Sequence, residues 1–191
     1  MLVCLTPGEN LEPRQTATSE YYTPHPSKSI KLSPLRQRLV GDTIVLYSCQ
    51  PTVERVKRYT PDCVYDDQFV YANDRYQMAG QWFALPKLFK SSVNEGYQVI
   101  RSDDEMIQFK NEQIATITGF ISLSLDPATR DSDFVQIKYH KDQANDKDYS
   151  HAGLGSMFKK WQADNAEHVW KYGTGTKEGD APKQDFTENR K

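Results

Sequence analysis

The stretch Pro61–Gln77, PDCVYDDQFVYANDRYQ, is where a chain that begins with helical patterns turns into sheet, and where acidic and aromatic residues crowd together. β-Branched and aromatic residues stand on both sides of Ala72-Asn73-Asp74, so the pattern predicts strands within Cys63–Met78 joined there by a hairpin turn. Alternation along the strand puts Cys63, Tyr65 and Asp67 on one face and Val64 and Asp66 on the other. The two adjacent aspartates are therefore not expected to act as a catalytic pair. In the plain reading one of them accepts hydrogen bonds from turn N–H groups or pairs with Arg75; in the sharper one Asp67 does chemistry.

Upstream, Ser33-Pro34 signals a helix start, since the hydroxyl caps free N–H groups and proline suits the first turn. Leu35, Leu39, Ile44, Leu46 and Tyr47 then line one helical face. A second, short helix is expected from Thr52 to Pro61, with Val53, Val56 and Tyr59 turned inward. Downstream, GQWFALPKLFKSS (80–92) has helical spacing, shortened or kinked at Pro86. Short strands follow at Tyr97–Arg101 and Met106–Lys110, then QIATITGFISLSL (113–125), whose strict alternation is the mark of a two-faced antiparallel strand. In FVQIKYHKD (134–142) the same rule sets Val135, Ile137 and Tyr139 against Gln136, Lys138, His140 and Asp142, and so sends His140 toward solvent or a dimer surface. A last helix is expected from about Leu154 to His168. The sum is an α+β domain, a curved antiparallel sheet with helices on one face, in which Gly119 permits a bend.

The chain has 191 residues, of which 37% are hydrophobic and 12% aromatic, enough for one core. Proline-rich, aperiodic residues 1–32 read as a disordered arm, 33–170 as the domain, and the Gly- and charge-rich residues 171–191 as a disordered tail. A net charge of -2 gives no reason to expect nucleic acid. The early apolar run, Leu2–Leu5, is too short for a signal or a membrane span, so a cytoplasmic protein is expected. Cys4, Cys49 and Cys63 lack C-x-x-C spacing, and the four histidines are scattered, so no metal site is expected. Gly153 and Gly155 do not make a nucleotide loop, and no G-x-S-x-G elbow is present. These absences favour chemistry without a cofactor, or simple binding.

The order of elements, together with RYTPDCVYDDQF (58–69) and the helix led by Gly80-Gln81-Trp82, resembles the NTF2-like superfamily, which includes SnoaL-like polyketide cyclases and ketosteroid isomerases. YDDQFVYANDRY (65–76) and NDKDYSHAGLG (145–155) are similar to segments of an uncharacterised group of fungal SnoaL-like proteins. The resemblance covers about Pro34 to Asn165. It implies a cone-shaped α+β fold in which a curved sheet and helices packed on its concave face enclose a pocket, often in a homodimer formed through the sheet. In ketosteroid isomerases a tyrosine near a helix end is followed, eight residues on, by the aspartate that moves the substrate proton. Tyr59 and Asp67 stand at that interval here, so the resemblance assigns the general base to Asp67. Tyr47 matches the tyrosine of the first helix that holds an enolate oxygen, whereas the second acid of that pattern falls near Ile121, where this chain has only apolar or small residues.

The resulting expectation is a pocket lined by Tyr65, Phe69, Tyr71, Tyr76 and Trp82 for a small, apolar, polyketide- or terpenoid-like molecule, although aromatics at strand spacing also simply fill cores. Asp67 would be the base, with Tyr47 or His140 as proton donors, in a cyclisation, isomerisation or dehydration. The alternative is a non-catalytic binding or dimerisation module, with the Thr/Ser face of residues 116–124 against a second subunit.

Overall fold

The first helix starts where its capping chemistry puts it. In the computed structural model, which describes residues 22–67, 71–88, 92–113 and 117–144, α1 spans Pro34–Tyr47, and the Ser33 hydroxyl accepts from the Arg36 N–H at 3.4 Å. The helix ends in a Schellman arrangement. The Cys49 N–H donates to the Leu46 carbonyl at 3.0 Å and the Gln50 N–H to the Val45 carbonyl at 3.2 Å, with Cys49 at a left-handed φ of 59°. That stop leaves Tyr47 in the last turn.

Two expectations fail just beyond it. The second helix, α2, is only Val53–Val56, and Tyr59 opens a strand instead of closing a helix. Its backbone is drawn into the sheet, where Tyr59 pairs with Ile137. The predicted hairpin at Ala72-Asn73-Asp74 is also displaced. β1 spans Tyr59–Asp66 and β2 is only Tyr71–Ala72, while Asp74 caps the next helix, accepting from the Gln77 N–H at 2.8 Å. Asparagine and aspartate serve turns and N-caps equally well, and here the cap wins. The helix α3 accordingly spans Arg75–Leu88, starting five residues before Gly80 and carrying Pro86 within it.

The remaining strands are β3 (Asn94–Ser102), β4 (Met106–Gln113), β5 (Ile117–Leu125) and β6 (Ile137–Ala144). They form one sheet in the order β2-β1-β6-β5-β4-β3. It is antiparallel throughout except where β1 and β6 run parallel, a pairing that alternation alone does not reveal. Register breaks in β1, β3 and β6 bend and twist it, as bulges do. α1 and α3 cover the concave face: Leu39, Val40, Ile44 and Leu46 of α1 and Met78, Ala79 and Trp82 of α3 share one core with Val99, Phe109, Ile121, Leu123 and Ile137. The architecture is the α+β one expected.

The break in β6 decides the site. Ser124 pairs with Tyr139 but Leu125 pairs with Ile137, so Lys138 is an extra residue opposite β5. A one-residue bulge inverts alternation beyond it. Ile137 is concave, and past the bulge His140 and Asp142 are concave too, paired with Leu123 and Ile121. Tyr139, Lys141 and Gln143 turn to the convex face. The expectation of a solvent- or dimer-facing His140 is thereby overturned: the residue is fully buried.

On the convex face, Lys141 pairs with Asp66 at 2.7 Å, both side chains buried. Thr118, Ser122 and Ser124, part of the face expected to meet a second subunit, are buried within the single chain. Residues 22–32, assigned from sequence to the arm, lie against the sheet. Tyr22 meets Phe120 edge-on at 5.4 Å, and the Ile30 N–H donates to the Val99 carbonyl at 2.9 Å. Residues 1–21, the expected helix at 154–168 and the tail 171–191 fall outside the described residues. Among those described, no helix is long and apolar enough to cross a membrane.

Candidate functional site

Four elements converge on His140. α1 delivers Tyr47 from its last turn, β1 delivers Tyr59 and Tyr65 from its concave positions, α3 delivers Trp82, and the bulge in β6 turns in His140 with Asp142 two residues on. The Tyr47 hydroxyl lies 3.0 Å from His140 Nε2 and donates to Asp142 Oδ2 at 2.8 Å. The Tyr59 hydroxyl lies 2.8 Å from His140 Nδ1. The Tyr65 hydroxyl donates to Asp67 Oδ2 at 2.9 Å. The rings are nested as well. Tyr59 lies nearly parallel to the imidazole, 6° between planes with centroids 5.8 Å apart, Tyr65 meets it edge-on at 4.8 Å, and Trp82 packs edge-on against both Tyr47 and Tyr65.

Exposure divides this cluster into a floor and an edge. His140, Tyr59, Tyr65 and Trp82 are buried, whereas Tyr47, Asp67 and Asp142 are half-buried. Gly119, on β5 beside Asp142, leaves the carboxylate room: a Cβ there would stand 3.3 Å from Asp142 Oδ1. Arg75, fully buried, ties β1 down by donating to the Tyr59 carbonyl at 3.0 Å.

Burial sets the charge states. It pushes the His140 pKa from 6.5 down to about 3, against the opposing field of Asp66, so the imidazole is neutral at physiological pH. Burial also raises Tyr47, Tyr59 and Tyr65 well above the usual phenol range, with Asp142 adding to Tyr47 and both Asp67 and Asp142 adding to Tyr65. All three are neutral phenols, good donors and poor bases. A half-buried edge with two carboxylates and a phenol, over a floor that does not titrate near pH 7, is suited to moving a proton on a small molecule.

Of the residues expected from sequence, Tyr47, His140, Tyr65 and Trp82 are in direct contact, and Asp67 joins through Tyr65. Tyr71 does not join them. It pairs with Asp66 and shares its convex side of the sheet, while Ala72 takes the concave position beside Tyr65. Tyr76 packs half-buried against the core, and Phe69 lies outside the described residues. Asp142 and Tyr59 were missed as members of the site. The signal for Asp142 was its two-residue spacing from His140, assigned to the wrong face because the bulge is silent in the sequence. Among the described residues no group of three or more His, Cys, Asp or Glu side chains is placed to hold a metal ion.

No protein-family model matches the chain, and no curated protein does. Among solved structures it is similar to a SnoaL-like family protein from Agrobacterium tumefaciens, a candidate isomerase, at 11% identity over 59% of this chain and 98% of that one, with a TM-score of 0.44. It is similar to a candidate polyketide cyclase from Sinorhizobium meliloti at 17% identity over 56% and 94% of the two chains, TM-score 0.43. A third is the beta subunit of the benzoate 1,2-dioxygenase from Burkholderia mallei, at 12% identity over 67% and 98%, TM-score 0.40. The chemistry of the site rests on its own geometry. That geometry offers hydrogen-bond donors and carboxylates without a cluster built for a metal among the described residues.

Proposed function

We propose that the protein binds a small, largely apolar organic molecule against Tyr47, Asp67 and Asp142 and performs acid/base chemistry on it without a cofactor, as a cyclase, isomerase or dehydratase does. The observation that carries this reading is the Tyr47 hydroxyl, held between His140 and Asp142 at the half-buried edge of an otherwise buried aromatic cluster. A purely structural tyrosine needs one partner; this one has two, in a chain of polar groups that a core would otherwise replace with apolar ones. Asp67 takes the substrate proton, and the Tyr65 hydroxyl fixes one of its oxygens. When substrate binds, the Tyr47 hydroxyl hydrogen turns from Asp142 to the oxygen on which negative charge develops. His140, buried and neutral at working pH, acts on the substrate through the Tyr47 hydroxyl.

The test is deuterium incorporation next to the carbonyl of a panel of apolar ketones and 1,3-diketones in D2O, followed by NMR. The wild-type protein exchanges at least one member above the buffer rate, and Asp67→Asn lowers that rate by roughly 10²–10⁴. Full exchange by Asp67→Asn removes Asp67 from its role. Ligand binding with no exchange anywhere on the panel favours the non-catalytic binding module instead.

A further inference from the structure

With Asp142 ionised, the buried hydrogen-bond chain has one direction. Tyr47 carries one hydroxyl hydrogen but has two partners, Asp142 Oδ2 at 2.8 Å and His140 Nε2 at 3.0 Å. An ionised carboxylate only accepts, so Tyr47 donates to Asp142 and its oxygen must accept from His140. The imidazole hydrogen is then on Nε2. Nδ1 is then a lone pair, and the Tyr59 hydroxyl, 2.8 Å away and also hydrogen-bonded to Thr43, donates to it. Reversing the chain would require a proton on Asp142.

We infer that His140 is a positioning residue, a neutral imidazole held as the Nε2–H tautomer by Tyr59, whose task is to aim the Tyr47 hydroxyl at Asp142 so that the two act as one unit. This deepens the acid/base reading, and rests on it for the effect on turnover but not for the tautomer. Every element around the ring contributes: Tyr47 from α1, Trp82 from α3, Tyr59 and Tyr65 from β1, Asp142 from β6 itself, and Asp66 acting from the opposite side of the sheet. Hydrogen bonds in series polarise one another, so a Tyr47 oxygen that accepts from Nε2–H makes a stronger donor. A second feature of the same design is the absence of a side chain at Gly119, which lets the Asp142 carboxylate lie back against β5.

The experiment is a long-range ¹H–¹⁵N spectrum of the full chain labelled at histidine, with His140 identified by substituting His25, His151 and His168 in turn. The expected result is the Nε2–H pattern at pH 7, unchanged between pH 5 and 8. Tyr59→Phe, which removes the donor to Nδ1, weakens the tautomer preference, whereas Tyr65→Phe leaves it intact. An Nδ1–H pattern at pH 7, or an imidazolium signal appearing between pH 5 and 8, overturns the inference. With a substrate from the exchange assay, His140→Gln keeps both a donor and an acceptor and should retain at least about ten-fold more turnover than His140→Leu at similar KM. Equal losses in the two variants refute the positioning role. If no substrate exchanges, the acid/base reading fails while the tautomer still decides this inference.

Discussion

Replacing Lys141 with Met tests the packing on the convex side of the sheet, behind the site. Lys141 Nζ and Asp66 Oδ2 are 2.7 Å apart, with side chains 5% and 1% exposed. Methionine approximates the lysine stem but leaves the Asp66 carboxylate buried beside an apolar group. Breaking a buried pair by removing one member costs about 3–5 kcal/mol, a large share of the roughly 5–15 kcal/mol that holds a domain folded. With a urea m value of about 2 kcal/mol/M, the midpoint of unfolding should fall by roughly 1.5–2.5 M. The double variant Lys141→Met, Asp66→Leu carries no charge at either position of the pair and should recover most of that loss, ending within about 1 kcal/mol of the parent. Equilibrium urea unfolding followed by tryptophan fluorescence and circular dichroism reads all four corners of the cycle. A Lys141→Met variant within about 1 kcal/mol of the parent, or a double variant as weak as the single one, would refute the reasoning.

Tyr59→Phe leaves the buried His140 Nδ1 without its donor and should cost about 1–3 kcal/mol in the same assay; a loss below about 0.5 kcal/mol would mean that the hydrogen bond is not formed. Because the folded pKa of His140 is depressed to about 3, the unfolded chain binds this proton first as pH falls. Its contribution is therefore full above about pH 6.5 and is lost at up to about 1.4 kcal/mol per pH unit toward the folded value. Comparing the pH dependence of unfolding with that of His140→Gln isolates the term, and identical slopes would count against it. Cys49→Gly relieves the left-handed backbone at the end of α1 and should stabilise the protein by about 1 kcal/mol, seen as a higher melting temperature. Gly119→Ala pushes on the Asp142 carboxylate and should cut turnover at least about ten-fold with little change in melting temperature; unchanged turnover would sever Gly119 from the site.

Much of the fold was legible because local chemistry and tertiary context agree there. The Ser33-Pro34 cap, the alternating strand around Gly119 and the separation of Asp66 from Asp67 need only a strand or helix period to be read. Asn73-Asp74 was not legible in the same way, since the side chain that closes a turn also caps a helix, and only the neighbouring elements choose between them. The parallel partnership of β1 with β6 joins residues far apart in sequence, such as Tyr65 and His140, and has no local signature.

The sequence by itself determined the α+β architecture and named Tyr47, Asp67 and His140 as candidate site residues. The tertiary structure decided which of them meet. One extra residue in β6, Lys138, inverts the side-chain alternation after Ile137, and so carries His140 and Asp142 from the face that the period assigns to solvent into the concave core. A bulge is set by pairing between strands, and a strand read alone carries no trace of it.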